Sequence, residues 1–189
     1  MFHATSLAFA TSTPVAPRAE LSRGLLAGTQ VETATGWRPA GALRPGEMVH
    51  TLDGGLRPLR AVDRNALGAG EGAVLRIPGG LLGAAVTRDV PAGQPLLIVH
   101  EAVDRLFALP AAQVLAWQLD GVAGCHRRPA GVGQEAIQLH FDEEEIVWAD
   151  EGLLMPMPGA GAGFFPLLDS GRAARLACAL ARAFERGAG

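Results

Sequence analysis

The sequence predicts a mainly β domain of short antiparallel strands and hairpins, followed by a C-terminal α-helix. Gly and Pro number 25 and 13 among 189 residues, and such frequent turn formers divide a chain into short elements. Between these turns, apolar and polar residues alternate in several segments, which is typical of strands with one buried face. Only the C-terminal segment has the spacing of apolar residues that an amphipathic helix requires.

The strongest strand signals lie in the first third of the chain. Alternation through Gln30–Thr33 predicts one strand, and Val49–Leu52 predicts a second. The sequence Asp53-Gly54-Gly55 predicts a tight hairpin turn, because glycine adopts the positive φ that such a turn requires. Residues 56–62 are then the returning strand. Pro58 within it indicates a sheet edge or a bulge, since proline has no N–H to donate.

A second hairpin is predicted over residues 137–148. Ile137–Phe141 alternates, the four acidic residues at 142–145 suggest a turn, and Ile146–Trp148 suggests the returning strand. Residues 121–133, which are rich in Gly and Pro, are predicted to be a loop.

The C-terminal segment predicts a helix that Asp169 or Ser170 caps. Its apolar stripe is formed by Leu176, Leu180 and Phe184, with arginines on the other side. These assignments divide the chain into three parts: a flexible N-terminal tail over 1–20, a β domain over 21–160, and an amphipathic helix over 167–187.

Composition excludes several classes of function. A net charge of −3 argues against a nucleic-acid binder. The absence of lysine removes Schiff-base chemistry, and Cys125 and Cys178 alone cannot form a zinc site. We therefore predict no metal and no cofactor. Residues 1–10 lack the basic start of a signal peptide, and no apolar run is long enough to span a membrane, so a cytoplasmic location is expected.

Two regions of the sequence resemble a known family. The first reads Gly28-Thr29-x-Val31-x-Thr33, Gly36-x-x-Pro39 and Leu43-Arg-Pro-Gly46-Glu-x-Val49-x-Thr51-x-Asp53-x-Gly55-x-x-Pro58-x-Arg60. The second reads Leu139-x-Phe141-Asp142, Ile146-Val-Trp-Ala149 and Pro158-Gly159. Both are similar to segments of bacterial Hint (Hedgehog/intein) domains. The resemblance covers about residues 24–159 and implies the all-β Hint fold.

The resemblance also implies a chemistry. In that family a Cys, or a Ser or Thr, lies five residues before the Thr of the Gly-Thr pair and attacks the preceding carbonyl. A His from a Ser/Thr-x-x-His segment protonates the departing amide. In this sequence the nucleophile position is Gly24. His100 is the candidate remnant of the general acid, with Leu97 in place of the hydroxyl residue, so we expect it near the first strand. A further family histidine falls at or near Glu144.

The missing nucleophile predicts that the protein is more a binding or scaffold module than an enzyme. Two alternatives remain at this stage. The first is an autoprocessing Hint enzyme that uses Ser22 or a nucleophile supplied by a partner. The second is an interaction protein that binds a protein partner through its Arg-rich C-terminal helix. Neither the ligand nor the oligomeric state follows from the sequence.

Overall fold

The computed structural model describes residues 22–67, 72–161 and 163–187. The predicted tail, residues 1–20, lies outside the described residues. Within these ranges the chain forms fourteen short strands and two α-helices, with single 3₁₀ turns at Ala40–Ala42 and Ala116–Leu119. The strands are β1 Leu25–Leu26, β2 Gln30–Thr33, β3 Gly36–Pro39, β4 Met48–Thr51, β5 Gly55–Pro58, β6 Ala61–Ala66, β7 Ala73–Ile77, β8 Arg88–Pro91, β9 Pro95–Ile98, β10 Ala112–Leu115, β11 His126–Pro129, β12 Glu135–His140, β13 Glu145–Ala149 and β14 Leu153–Met157; the helices are α1 Glu101–Phe107 and α2 Ser170–Gly187.

The strands form four small sheets in the described part of the chain, and every pairing between named strands is antiparallel. The largest sheet has the order β14-β13-β2-β4-β5, with β3 added beside β2. The others are β1-β12-β6, β11-β7-β8 and β9-β10. The prediction of a mainly β domain with a C-terminal helix is confirmed.

The predicted turn at residues 53–55 forms as expected. Thr51 lies opposite Gly55 in the β4–β5 pair, and Gly55 has φ +63°. β5 ends at Pro58, and the chain then enters β6 in a different sheet. The single returning strand predicted over residues 56–62 is therefore two strands, because proline cannot continue the ladder of hydrogen bonds.

Two other assignments were wrong. Residues 137–148 do not form a hairpin: β12 pairs with β6 along its whole length, and β13 pairs with β14. The chain therefore passes from one sheet to another at the acidic turn, and Phe141 and Ile146 on either side of the turn are both buried. The predicted loop over residues 121–133 contains β11, which pairs with β7.

The C-terminal helix packs into the same core as the strands, as the apolar stripe predicts. Leu176 and Leu180 are completely buried, and Phe184 is half-buried against the core. Asp169 caps the helix, since its Oδ1 accepts a hydrogen bond from Arg172 N at 2.9 Å. A helix of this length is marginal in isolation, so the packing stabilises it. In the described residues, no helix combines the length and apolar character needed to cross a membrane.

One carboxylate joins three strands. Asp89 on β8 accepts hydrogen bonds from the guanidinium groups of Arg76 on β7 and Arg128 on β11. Partial burial alone would raise the pKa of Asp89, but the hydrogen bonds from the two arginines outweigh it and hold that pKa at about 2. The ion pairs therefore fix the edge strand β11 to the sheet.

Candidate functional site

The family's nucleophile position is a buried glycine with an unusual backbone. Gly24 immediately precedes β1 and has φ +107°, a conformation that side chains with a Cβ rarely adopt. A Cβ built on Gly24 would lie 2.6 Å from the carbonyl oxygen of Ile137, in the backbone of β12. Both the conformation and the available space therefore require glycine here. The position lacks a nucleophile and has no room for one.

The amide nitrogen of Gly24 donates a hydrogen bond to Gln94. The distance from Gly24 N to Gln94 Oε1 is 2.7 Å. The Gln94 amide group in turn donates to the carbonyls of Pro95 at 3.0 Å and Pro156 at 2.8 Å. Gln94 is only 1% exposed. One side chain thus joins the start of β1, the start of β9 and the end of β14.

This contact involves the nitrogen that the family's reaction would release. Gly24 N belongs to the Arg23–Gly24 peptide bond, and a general acid must deliver a proton to it as the bond breaks. The Gln94 carboxamide has no acidic proton, and its oxygen accepts the N–H instead. The side chain therefore stabilises the intact amide and cannot protonate the departing nitrogen.

His100 lies beyond the other end of strand β9 from Gln94, and among the described residues its hydrogen bond and ring contact are to Ala102 and Phe184, not to the first strand. It is the N-cap residue of α1, and its Nδ1 accepts a hydrogen bond from Ala102 N at 3.0 Å. Its ring is 6.1 Å from that of Phe184, and it lines a separate pocket of about 350 Å³. Gln94 immediately precedes the four-residue strand β9, and His100 follows its end. The structure does not bring His100 and Gly24 together.

Sequence reasoning missed Gln94, although a signal for it exists. Pro91-Ala-Gly-Gln94 has the spacing of a Ser/Thr-x-x-His segment, with both of its chemical residues replaced. A search for the histidine itself finds the nearby His100 instead. The spacing, together with a buried position beside residue 24, identifies Gln94 once the fold is known.

A cleft of about 560 Å³ opens beside the Gly24–Gln94 contact. Glu144 lines it, and its Oε1 accepts a hydrogen bond from Gln113 Nε2 at 3.0 Å. His140 Nε2 is 2.8 Å from the carboxylate of Asp63. The other lining residues are Arg23, Gln94, Pro95, Gln138, Pro156, Met157, Pro158, Gly163, Phe165, Pro166 and Leu167.

The remaining candidates lie elsewhere or make no catalytic contact. Burial, with a smaller effect of Asp120, raises the pKa of Cys125 to about 11, so its thiol is unreactive near neutral pH. Cys178 is exposed on α2. The carbonyl of Ser22 accepts a hydrogen bond from Gly93 N at 3.1 Å. Over the described ranges no three His, Cys, Asp or Glu side chains are grouped to hold a metal.

The fold and the position of residue 24 together define a class: an all-β domain with the Hint arrangement of strands. The Hint domain family model matches residues 23–154, and the chain belongs to that family. Among solved structures, the chain is similar to a bacterial intein-like domain from Clostridium thermocellum, at 14% identity and a TM-score of 0.51 over 71% of this chain and 98% of that one. The AceL NrdHF class 3 split intein, in a splice-inactive variant, matches at 11% identity with a TM-score of 0.49, over 73% and 99% of the two chains. No curated protein sequence matches.

Proposed function

We propose that this protein is a Hint domain that does not cleave itself and that acts as a binding or scaffold module through the cleft beside Gly24. The observation that carries the proposal is the hydrogen bond from Gly24 N to Gln94 Oε1. It places an acceptor on the nitrogen to which a cleaving enzyme delivers a proton.

The nucleophile is the second missing requirement. Transfer of the acyl group from nitrogen to sulfur or oxygen trades an amide for a less stable thioester or ester, so it needs an attacking group attached to the chain at the correct position. Gly24 has no side chain to attack with, and the backbone carbonyl of Ile137 leaves no room for one. Water cannot replace such a group in the shift, because it is not attached to the chain.

Binding is supported by what the site retains. The cleft keeps both polar and apolar lining residues and its volume of about 560 Å³ lies within the usual range of ligand sites. Gln94 and Gln113 are almost fully buried and hold the surrounding strands through several hydrogen bonds. A cleft of this size whose described lining includes no Ser, Thr or Cys nucleophile favours binding over self-cleavage.

The two alternatives have less support. Autoprocessing through Ser22 would place the nucleophile seven residues before Thr29, where the family has it five residues before. The C-terminal helix presents no free apolar stripe, because Leu176 and Leu180 are buried within this chain. Among its arginines, Arg172 lies over the ring of Phe107, with its Cζ 4.7 Å from the ring centroid.

The experiment is to incubate the purified 189-residue chain near neutral pH with dithiothreitol or with hydroxylamine and to measure its intact mass over a day. The proposal predicts a single, unchanged mass. A fragment that begins at residue 24, formed in the wild-type chain and accelerated by either reagent, would refute it. His100→Ala serves as a matched control, because His100 lies outside the cleft and its loss should leave the mass unchanged.

A further inference from the structure

The carboxylate of Glu144 is held in a fixed position in the cleft. The side-chain amide of Gln113 donates one hydrogen bond to Glu144 Oε1 at 3.0 Å and another to the carbonyl of Phe165 at 3.1 Å. Gln113 is only 5% exposed, so its orientation is fixed by packing. Gly163 lies directly against the carboxylate, and a Cβ at that position would overlap it. The neighbouring residues therefore restrict both where the charge lies and which way it faces.

Among the described residues this carboxylate has no cationic partner, unlike Asp142 and Glu145 in the same acidic run. Glu145 pairs with Arg57 at 3.1 Å, and Asp142 pairs with Arg60 at 2.5 Å. Across residues 22–67, 72–161 and 163–185, no arginine or histidine lies within ion-pair distance of Glu144. Arg23 lines the same cleft but lies beyond that distance and is exposed. A partly buried, oriented carboxylate without a counter-charge favours a cationic ligand.

The rest of the cleft lining selects the same kind of ligand. The amide N–H groups of Gln94 and Gln113 all donate within the protein. Gln94 Oε1 already accepts from Gly24 N, so the Glu144 carboxylate is the main acceptor that remains for a ligand. The lining also includes apolar side chains, among them Met157, Phe165 and Leu167. A guanidinium or ammonium group on an alkyl stem, with apolar neighbours, matches this combination of a carboxylate and apolar side chains.

We propose that this cleft binds a peptide segment through an arginine or lysine side chain, with Glu144 as its anionic partner. The inference rests on the proposed binding function and names the ligand class of the same site. Arginine is the better match of the two, because its planar guanidinium can donate two parallel hydrogen bonds to a carboxylate. The ligand's apolar neighbours then pack against the wall of proline, methionine and phenylalanine side chains.

The test uses three capped pentapeptides, acetyl-Ala-Leu-Xaa-Leu-Ala-amide, in which the central residue is arginine, its uncharged analogue citrulline, or glutamate. Binding to the full chain is measured by titration with ¹⁵N-resolved NMR. The arginine peptide is expected to bind at least about tenfold more tightly than the citrulline peptide, which is what a hydrogen-bonded charge typically contributes. Its shift changes should centre on residues 113, 144 and 163.

Variants separate the specific carboxylate from the general charge of the surface. Glu144→Gln should abolish the preference for arginine over citrulline. Glu143→Gln removes the same charge one residue away, on an exposed side chain outside the cleft, and should keep the preference. Gly163→Ala should weaken the preference without altering any charge, because the added methyl group displaces the Glu144 carboxylate.

Equal affinity for the three peptides would overturn the inference and leave the proposed binding module standing. Binding of none of them, or an arginine preference that survives Glu144→Gln, would overturn it as well. Failure of the proposed function itself would appear separately, as a change in the mass of the chain in the absence of any peptide.

Discussion

Gly24→Ala is predicted to destabilise the domain by about 2–6 kcal/mol, from two separable causes. A residue with a Cβ at φ +107° carries about 1–3 kcal/mol of backbone strain. The added methyl group also meets the carbonyl oxygen of Ile137 at 2.6 Å. Since that oxygen belongs to the backbone of β12, a strand must shift, which typically costs about 1–3 kcal/mol more.

Two other glycines separate these causes. Gly36 has φ +102° and nothing within 4 Å of an added Cβ, so Gly36→Ala measures the strain alone. Gly28 has neither a positive φ nor a neighbour within 4 Å, and Gly28→Ala is the baseline. Urea denaturation followed by the fluorescence of the three tryptophans gives each free energy of unfolding. If Gly24→Ala is no more destabilising than Gly36→Ala, the contact with Ile137 contributes nothing to the loss. If Gly24→Ala is the more destabilising of the two, the larger Gly24→Cys should disrupt the site in the same way and should not restore cleavage.

Three further predictions concern stability. Gln94→Leu should lower the free energy of unfolding by about 2–4 kcal/mol, because three buried backbone groups lose their hydrogen-bond partner. The control, Gln30→Leu, changes a half-buried side chain and should have little effect. Equal losses for the two variants in urea denaturation would contradict this prediction. The pKa of Asp89 is about 2 in the folded state and 3.8 ordinarily, so its ion pairs stabilise the fold above about pH 4, and this contribution is lost as the pH falls through about 2. Asp89→Asn should cost about 1–2 kcal/mol near neutral pH and under about 0.5 kcal/mol at pH 2, and a pH-independent loss would argue against the ion pairs. Leu180→Ala should lower the free energy of unfolding by about 2–5 kcal/mol, measured by calorimetry or urea denaturation, since Leu180 is fully buried. Arg182→Ala, on an exposed side chain of the same helix, should lower it by less than about 0.5 kcal/mol. A small effect of Leu180→Ala would mean that α2 is not part of the core.

The sequence predicted those parts of the fold that depend on neighbouring residues. The turn at Asp53-Gly54-Gly55 and the amphipathic helix follow from local conformation and spacing, and both are present. The hairpin over residues 137–148 was wrong because the choice of partner strand is a long-range property. β12 pairs with β6, about seventy residues earlier in the chain, and its alternation is equally consistent with either partner.

The candidate site was predicted only in part. The assignment of Gly24 to the nucleophile position depends only on its spacing to Thr29, which can be read from the sequence. The structure adds the clash with Ile137 that makes glycine necessary there. Gln94 could not be recognised by residue type, because glutamine performs none of the family's chemistry. Its role comes from a contact seventy residues apart in the chain. His100 has the expected residue type, but the hydrogen bond to Gly24 N comes from Gln94, and His100 caps α1.

The hydrogen exchange rate of the Gly24 amide shows whether this nitrogen donates a hydrogen bond to the buried Gln94 side chain. In ¹⁵N-resolved NMR after transfer to D₂O, we expect the Gly24 N–H to exchange as slowly as the amides of the central strands, and Gln94→Leu to make it exchange rapidly. Exchange as fast as that of the exposed Gly28, in a wild-type domain whose strands remain protected, would mean that this hydrogen bond is absent.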